Sequence, residues 1–220
     1  MLRKFLPVLV TVLALGLSGL ITVLVQDRHI EDRQMRLEAI RQRLQARIED
    51  QVFLLGAIKG LILTEGALID RRKLTTFLTG LPAGVAGSSA QGLGFALAIG
   101  TGADAVATRA ARRSYPDAPA PWPDTAEAMR TPIVLLEPQD ARNRQAISYD
   151  MYSEPLRRAA MDSARLRRGP ALSRPLTLVQ EMTTDIQPGV LLYVPVFADE
   201  GVAPPEGAGV GALVGYVYSP

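Results

Sequence analysis

The chain has 220 residues, 48% of them hydrophobic and 21% charged, with a formal net charge of +2. That is enough for one globular domain with additions, and a charge so near zero gives no electrostatic reason to expect a nucleic acid partner. Cysteine is absent and His29 is the only histidine. This excludes a disulfide framework and a thiolate metal site, and argues against a transition-metal centre or a Ser-His-Asp hydrolase; no cofactor is expected.

The run Phe5 to Val25 carries no charge. At about 1.5 Å per residue it is long enough to cross the ~30 Å hydrocarbon core of a bilayer. Arg3 and Lys4 precede it, and Gln26 and Asp27 follow. The positive-inside rule then leaves residues 1–4 in the cytoplasm and everything past Val25 outside. A cleaved signal peptide is the alternative, but its apolar region would be about 7–15 residues and an A-x-A-like site would follow. The expectation is a single retained span at 5–25 in the inner membrane, with the bulk of the chain periplasmic or extracellular.

Residues 26–81 read as a stalk. Leu37, Ile40, Leu44, Ile48, Val52 and Leu55 recur at steps of three and four, and neither Pro nor Gly occurs between Gln26 and Leu55. That spacing lays one apolar stripe along a helix. The stripe serves either packing on the chain's own domain or a homodimer coiled through the stalk, and continuity with the expected anchor favours the dimer. The apolar face broadens in Phe53 to Ile69, as expected where such a helix meets a globular body.

Asp70 to Gly84 reads as a further helix stopping at Leu81-Pro82, Gly92 to Gly100 as a buried strand, and Gly102 to Pro116 as a helix ended by proline. Asp117 to Pro132 is a proline-rich loop holding the only tryptophan, Trp122. Ile133 to Pro138 is a strand, Gln139 to Gln145 a turn and Ala146 to Tyr152 the next strand. Ser153 is the expected N-cap of a helix that buries Leu156, Ala159, Ala160 and Ala164, pairs Arg158 with Asp162, and ends near Arg168 before Gly169-Pro170. Three strands follow: Leu176 to Glu181, Gly189 to Phe197 and Gly211 to Ser219. Helices with closing antiparallel strands make an α+β domain, and a PAS-like sensor fold has that layout.

The segments "IVLLEPQDARNRQAISYDMYSEPLRRAAM", "LVQE", "PGVLLYVPVF" and "LVGYVYSP" occur in that order from Ile133 to Pro220. Together they resemble the CHASE domain, the extracytoplasmic sensor domain of many bacterial histidine kinases and diguanylate cyclases and of the plant cytokinin receptors. The resemblance covers roughly Gly92 to Pro220. It implies a long N-terminal helix, a PAS-like ligand-binding subdomain, a second membrane span and a cytoplasmic output domain of two-component or cyclase type. On that comparison residues 82–220 are expected to be the sensor domain, incomplete at its C-terminal end.

Aligned with the plant receptors, the acid that anchors the cytokinin ring falls on Arg157, and pocket-lining positions fall on Met151, Leu178, Val179 and Tyr193. A cation in place of that acid implies an anionic ligand rather than an adenine-type one. Against this, Arg157 stands among Arg158, Arg165, Arg167 and Arg168, and such a run reads as a solvated helix face. Ser148 stands where the family commonly has glycine. Asp150 is expected to bind backbone amides at the following turn, and Asn143 to stabilise the turn between two strands.

The function that follows is a small-molecule sensing module, passing ligand binding along the stalk to a kinase or cyclase outside these residues. One alternative is an anchored dimerisation module without a ligand. Another is an exported enzyme, for which Asp150, Glu154 and Glu181 are the available carboxylates, although no spacing marks them as a pair.

Overall fold

The structure is a computed structural model. It describes residues 2–81, 92–178 and 188–220, with the side chains of residues 2–14, 19–32 and 188 outside the description. The chain divides into two compact units, Met1–Glu49 and Asp50–Pro220.

The first unit belongs to helix α1, Leu2–Glu65. The backbone of the expected span is helical, but the side chains of 5–14 and 19–25 lie outside the described residues. Among the described residues no helix is long and apolar enough to cross a membrane. Further along, Leu37, Ile40, Leu44 and Ile48 are 66, 52, 58 and 40% exposed. The stripe read from the sequence is therefore present and uncovered within this unit.

In the second unit the last turns of α1 bury Leu54, Leu55, Ile58 and Ile62 in the domain core. The helix ends at Glu65, and Gly66 follows with φ +93°, the left-handed backbone glycine adopts at least cost. Helix α2, Arg71–Thr79, is capped by Asp70, whose carboxylate accepts the Lys73 amide at 2.9 Å.

The centre of the domain is a five-stranded antiparallel sheet. Its strands are β1 (Leu93–Leu97), β4 (Ile133–Glu137), β5 (Ala171–Leu172), β8 (Leu192–Phe197) and β9 (Leu213–Ser219), in the order β4-β1-β9-β8-β5. Two-residue ladders pair β2 (Ile99–Gly100) with β3 (Met129–Arg130), and β6 (Leu176–Thr177) with β7 (Pro188–Gly189). Every residue of β1, β4, β8 and β9 is buried, so the sheet is covered on both faces. Helix α3 (Asp104–Arg112) packs near β4, and α5 (Pro155–Arg167) packs on β8 and β5.

Register and glycine set the faces. Gly94 stands opposite Tyr218, and Ala96 opposite Tyr216. A Cβ on Gly94 would lie 2.5 Å from the Leu135 carbonyl oxygen and 2.6 Å from the Tyr218 ring. A Cβ on Gly215 would lie 2.3 Å from the Ala96 carbonyl oxygen and 2.7 Å from the Phe95 ring. Each ring occupies the space a neighbouring side chain would need.

Several expected elements shift. Ala146 to Tyr152 is not a strand. Ser148 has φ 64°, the left-handed region glycine favours, which fits the glycine that the family resemblance leads one to expect there. Its hydroxyl donates to the Pro119 carbonyl at 2.9 Å. Only isolated bridges follow, Trp122 with Tyr149 and Pro132 with Asp150, and then a 3-10 turn at Met151–Ser153. The expected turn at Gln139 to Gln145 holds a short helix, α4 (Ala141–Gln145), capped by Asp140. There Asn143 Nδ2 donates to the Pro138 carbonyl at 2.8 Å, as a turn-stabilising role requires.

Candidate functional site

Helix α5 starts one residue later than its sequence signature implies. Glu154, not Ser153, is the N-cap; its carboxylate accepts the amides of Leu156 at 3.0 Å and Arg157 at 2.8 Å, and Pro155 opens the helix. Ser153 instead donates its hydroxyl to the Asp150 carbonyl at 2.6 Å. The buried face is Arg157, Ala160, Met161 and Ala164. Leu156 and Ala159 are exposed. Arg158 pairs with Glu127 rather than Asp162, and Asp162 pairs with Arg165 at 3.4 Å.

Arg157 is therefore not on the solvated face. It is 3% exposed. Its guanidinium carbon sits 5.1 Å from the Tyr149 ring centroid, a cation–π contact, and the Trp122 and Tyr149 rings meet in a T-shaped arrangement with centroids 4.9 Å apart. Nη2 donates to the Thr177 carbonyl at 3.3 Å. The nearest carboxylate is Glu154, with Oε2 4.0 Å from Nε, and Nε itself has no hydrogen-bond partner among the described residues.

Three of the other expected positions, Met151, Leu178 and Tyr193, are buried nearby. Tyr193 and Met151 are fully buried, and the Tyr193 hydroxyl reaches the Met151 sulfur at 3.8 Å. Leu178 is buried and lies against Gly189, where a Cβ would come 2.9 Å from it. Leu178 directly follows Thr177, whose carbonyl Arg157 holds. Val179 and Glu181 lie outside the described residues.

One member is absent from the sequence reading: Tyr218. It faces Tyr193 directly across β8 and β9, with ring centroids 6.3 Å apart, and its buried hydroxyl has no partner among the described residues. The available signal was the alternation in "GYVYS", which puts Tyr216 and Tyr218 on one face of a strand. Burial pushes the phenols of Tyr193 and Tyr218 well above their ordinary range, opposed in both by the charge of Arg157. Both phenols stay neutral donors. Tyr216 is already committed, its hydroxyl donating to the Met161 carbonyl at 3.0 Å.

Asp150 has a different task. It is fully buried and accepts the amides of Thr131 at 2.7 Å and Tyr152 at 3.1 Å, with Arg130 Nε at 3.2 Å. Arg130 also holds Asp104 at 2.7 Å and the Pro123 carbonyl at 2.8 Å. The Tyr152 amide is the turn contact the sequence predicts, and the carboxylate is fully occupied in holding loops to the sheet. Asp150 and Glu154 are thus both engaged, and the described residues bring no acid–base pair together. Nor do they contain a cluster of acidic or histidine side chains able to hold a metal ion.

A mixed fold of helices on an antiparallel sheet, led by one long helix, defines an α+β protein whose buried polar cluster lies between α5 and the sheet. The family model for the CHASE domain matches residues 68–220, and the chain belongs to that family. The CHASE domain is an extracytoplasmic sensory module of signalling receptors. No curated protein matches the chain.

Proposed function

We propose that this chain binds a small molecule between α5, the 3-10 turn and the sheet, and passes that binding through α1 to a kinase or cyclase output domain. Arg157, Met151, Leu178 and Tyr193 line the site. The observation that carries the reading is Arg157, a buried cation with an unused donor, whose carboxylate partner among the described residues, Glu154, stands off at 4.0 Å. A cation held in that condition is costly unless something completes it. The strand order and the helix across one face support a PAS-like binding domain.

Phe5 to Val25 anchors the chain in the membrane, with the bulk outside, and the exposed stripe Leu37-Ile40-Leu44-Ile48 joins two copies. That stripe also favours the second reading, a dimerisation module without a ligand. Thermal shift on the full chain in detergent separates the two, because a ligand that binds only the folded state raises its melting temperature. The panel is organic acids, purines and amino acids. At least one compound raises the midpoint, and the Arg157→Ala variant loses that shift. A flat response across the panel would favour the ligand-free reading, and a shift retained in Arg157→Ala would remove Arg157 from the site.

A further inference from the structure

On the α5 side of the sheet two buried donors lack a partner, and a third has only a weak one. Arg157 Nε and the Tyr218 hydroxyl are buried with no hydrogen-bond partner among the described residues. The Tyr193 hydroxyl has only the Met151 thioether at 3.8 Å, a weak acceptor. Tyr193 and Tyr218 are opposite one another on adjacent strands, with ring centroids 6.3 Å apart, and the Arg157 guanidinium lies over Tyr149, two residues before the Met151 that Tyr193 touches. A donor buried without an acceptor is destabilising. What this group lacks is an acceptor, and preferably a charged one.

We infer that the site takes a small monocarboxylate with an apolar body, its carboxylate accepting from Arg157 Nε and the Tyr218 hydroxyl. This inference rests on the sensory reading of the same site. Charge balance selects the carboxylate. Arg157 is the one cation among the residues named, and Glu154 Oε2 already stands 4.0 Å from its Nε, so a single negative charge is accommodated more readily than a phosphate dianion, which would leave a larger excess of negative charge. A zwitterionic amino acid would need a carboxylate for its ammonium. Asp150 already accepts from three donors and Glu154 from two amides. The walls set the body: Met151, Leu178, Tyr149 and Tyr193 offer thioether, aliphatic and aromatic surface.

The test is isothermal titration of the full chain in detergent with phenylacetate and hexanoate, against phenylacetamide, phenyl phosphate and phenylalanine. At least one acid binds, and phenylacetamide binds at least about tenfold more weakly than phenylacetate. Tyr218→Phe weakens acid binding by about tenfold or more, since it deletes one bond to a charged group. The same variant melts no lower than the wild type without ligand, because the hydroxyl it removes has no partner. That second measurement separates a lost contact from a damaged fold. Arg157→Lys, which keeps the charge but not the Nε donor, also weakens the acid.

Equal or tighter binding of the amide, the phosphate or phenylalanine overturns the carboxylate assignment and leaves the sensory reading standing. Acid binding unchanged in Tyr218→Phe overturns the seat. If none of these probes binds, the inference falls; the sensory reading falls with it only if the broader thermal-shift panel is flat as well.

Discussion

Arg157 shows how burial can invert the ordinary reading of a charged residue. It lies in an arginine-rich helix, and charge-dense helical stretches normally face water. Sequence patterning classes arginine as polar, so the apolar face was drawn one position around, through Leu156 and Ala159. The true face steps through 157, 160, 161 and 164, spaced three, one and three, and Arg157 is its first member. Only the resemblance to related receptors pointed to that position. Asp150 is the opposite case, since its role followed from local turn chemistry. Replacing it with alanine removes the acceptor of two buried amides and leaves Arg130, itself 6% exposed, without its buried partner. Asp150→Ala should cost about 3–5 kcal/mol of stability in urea unfolding. Glu137 yields a pH prediction. It is 5% exposed, and burial holds its carboxyl above the ordinary 4.5, only partly offset by Arg71 Nε at 2.7 Å. A folded pKa above the unfolded one means the folded chain holds the proton more tightly. Its contribution to stability is full below the unfolded value and is lost as pH rises through the folded one. Asp150 is shifted in the same direction by the same cause. Glu137→Gln should therefore make the melting temperature fall less steeply with rising pH across that window, while an unchanged slope would contradict the assignment.

At the scale of elements, legibility tracked length and repetition. The stripe of α1, the helix α2 and the longer strands β4, β8 and β9 follow from periodicity and stop signals that need few residues of context. "AISYDMY" misled because its alternation imitates a strand, while its backbone is set by a left-handed Ser148 and by Asp150, which caps the 3-10 turn. Of the paired two-residue strands, β2 and β6 fall inside expected strands, but β3 falls in the expected proline-rich loop, and the pairings themselves were not legible. They exist because distant segments meet there, and no local pattern of two residues can announce that. Two predictions belong at this scale. Glu154→Ala removes the acceptor for two amides at the start of α5 and should lower stability by about 1 kcal/mol, measured by urea unfolding. If the exposed stripe of α1 joins two copies, a Leu44→Glu change puts like charges into that seam. Light scattering on the detergent-purified chain should then give a monomer where the wild type gives a dimer; equal masses would rule the seam out.

For the whole molecule, the α+β class was legible because helical and strand periods alternate along the chain, and residues 68–220 match the sensory family. What was not legible is how the middle of the sheet is closed. Gly94 and Gly215 lie on the two most central strand partners, each beneath an aromatic ring from the other's strand. A methyl group on Gly94 would meet backbone at 2.5 Å, and backbone has little freedom to yield there. Gly94→Ala should lower stability by about 3 kcal/mol, read as a lower urea midpoint.

The paired glycines also act on assembly. A one-residue slip between β1 and β9 turns every side chain to the wrong face, so the dangerous error is a slip by two, which preserves the faces. In the native alignment Phe95 lies over Gly215. A slip by two in one direction would bring Leu213 to that place, and in the other Val217. Either way the ring meets a branched side chain where it needs bare backbone. The sequence thereby specifies its own alignment at the centre of the sheet: a β1–β9 pair slipped by two cannot close flat.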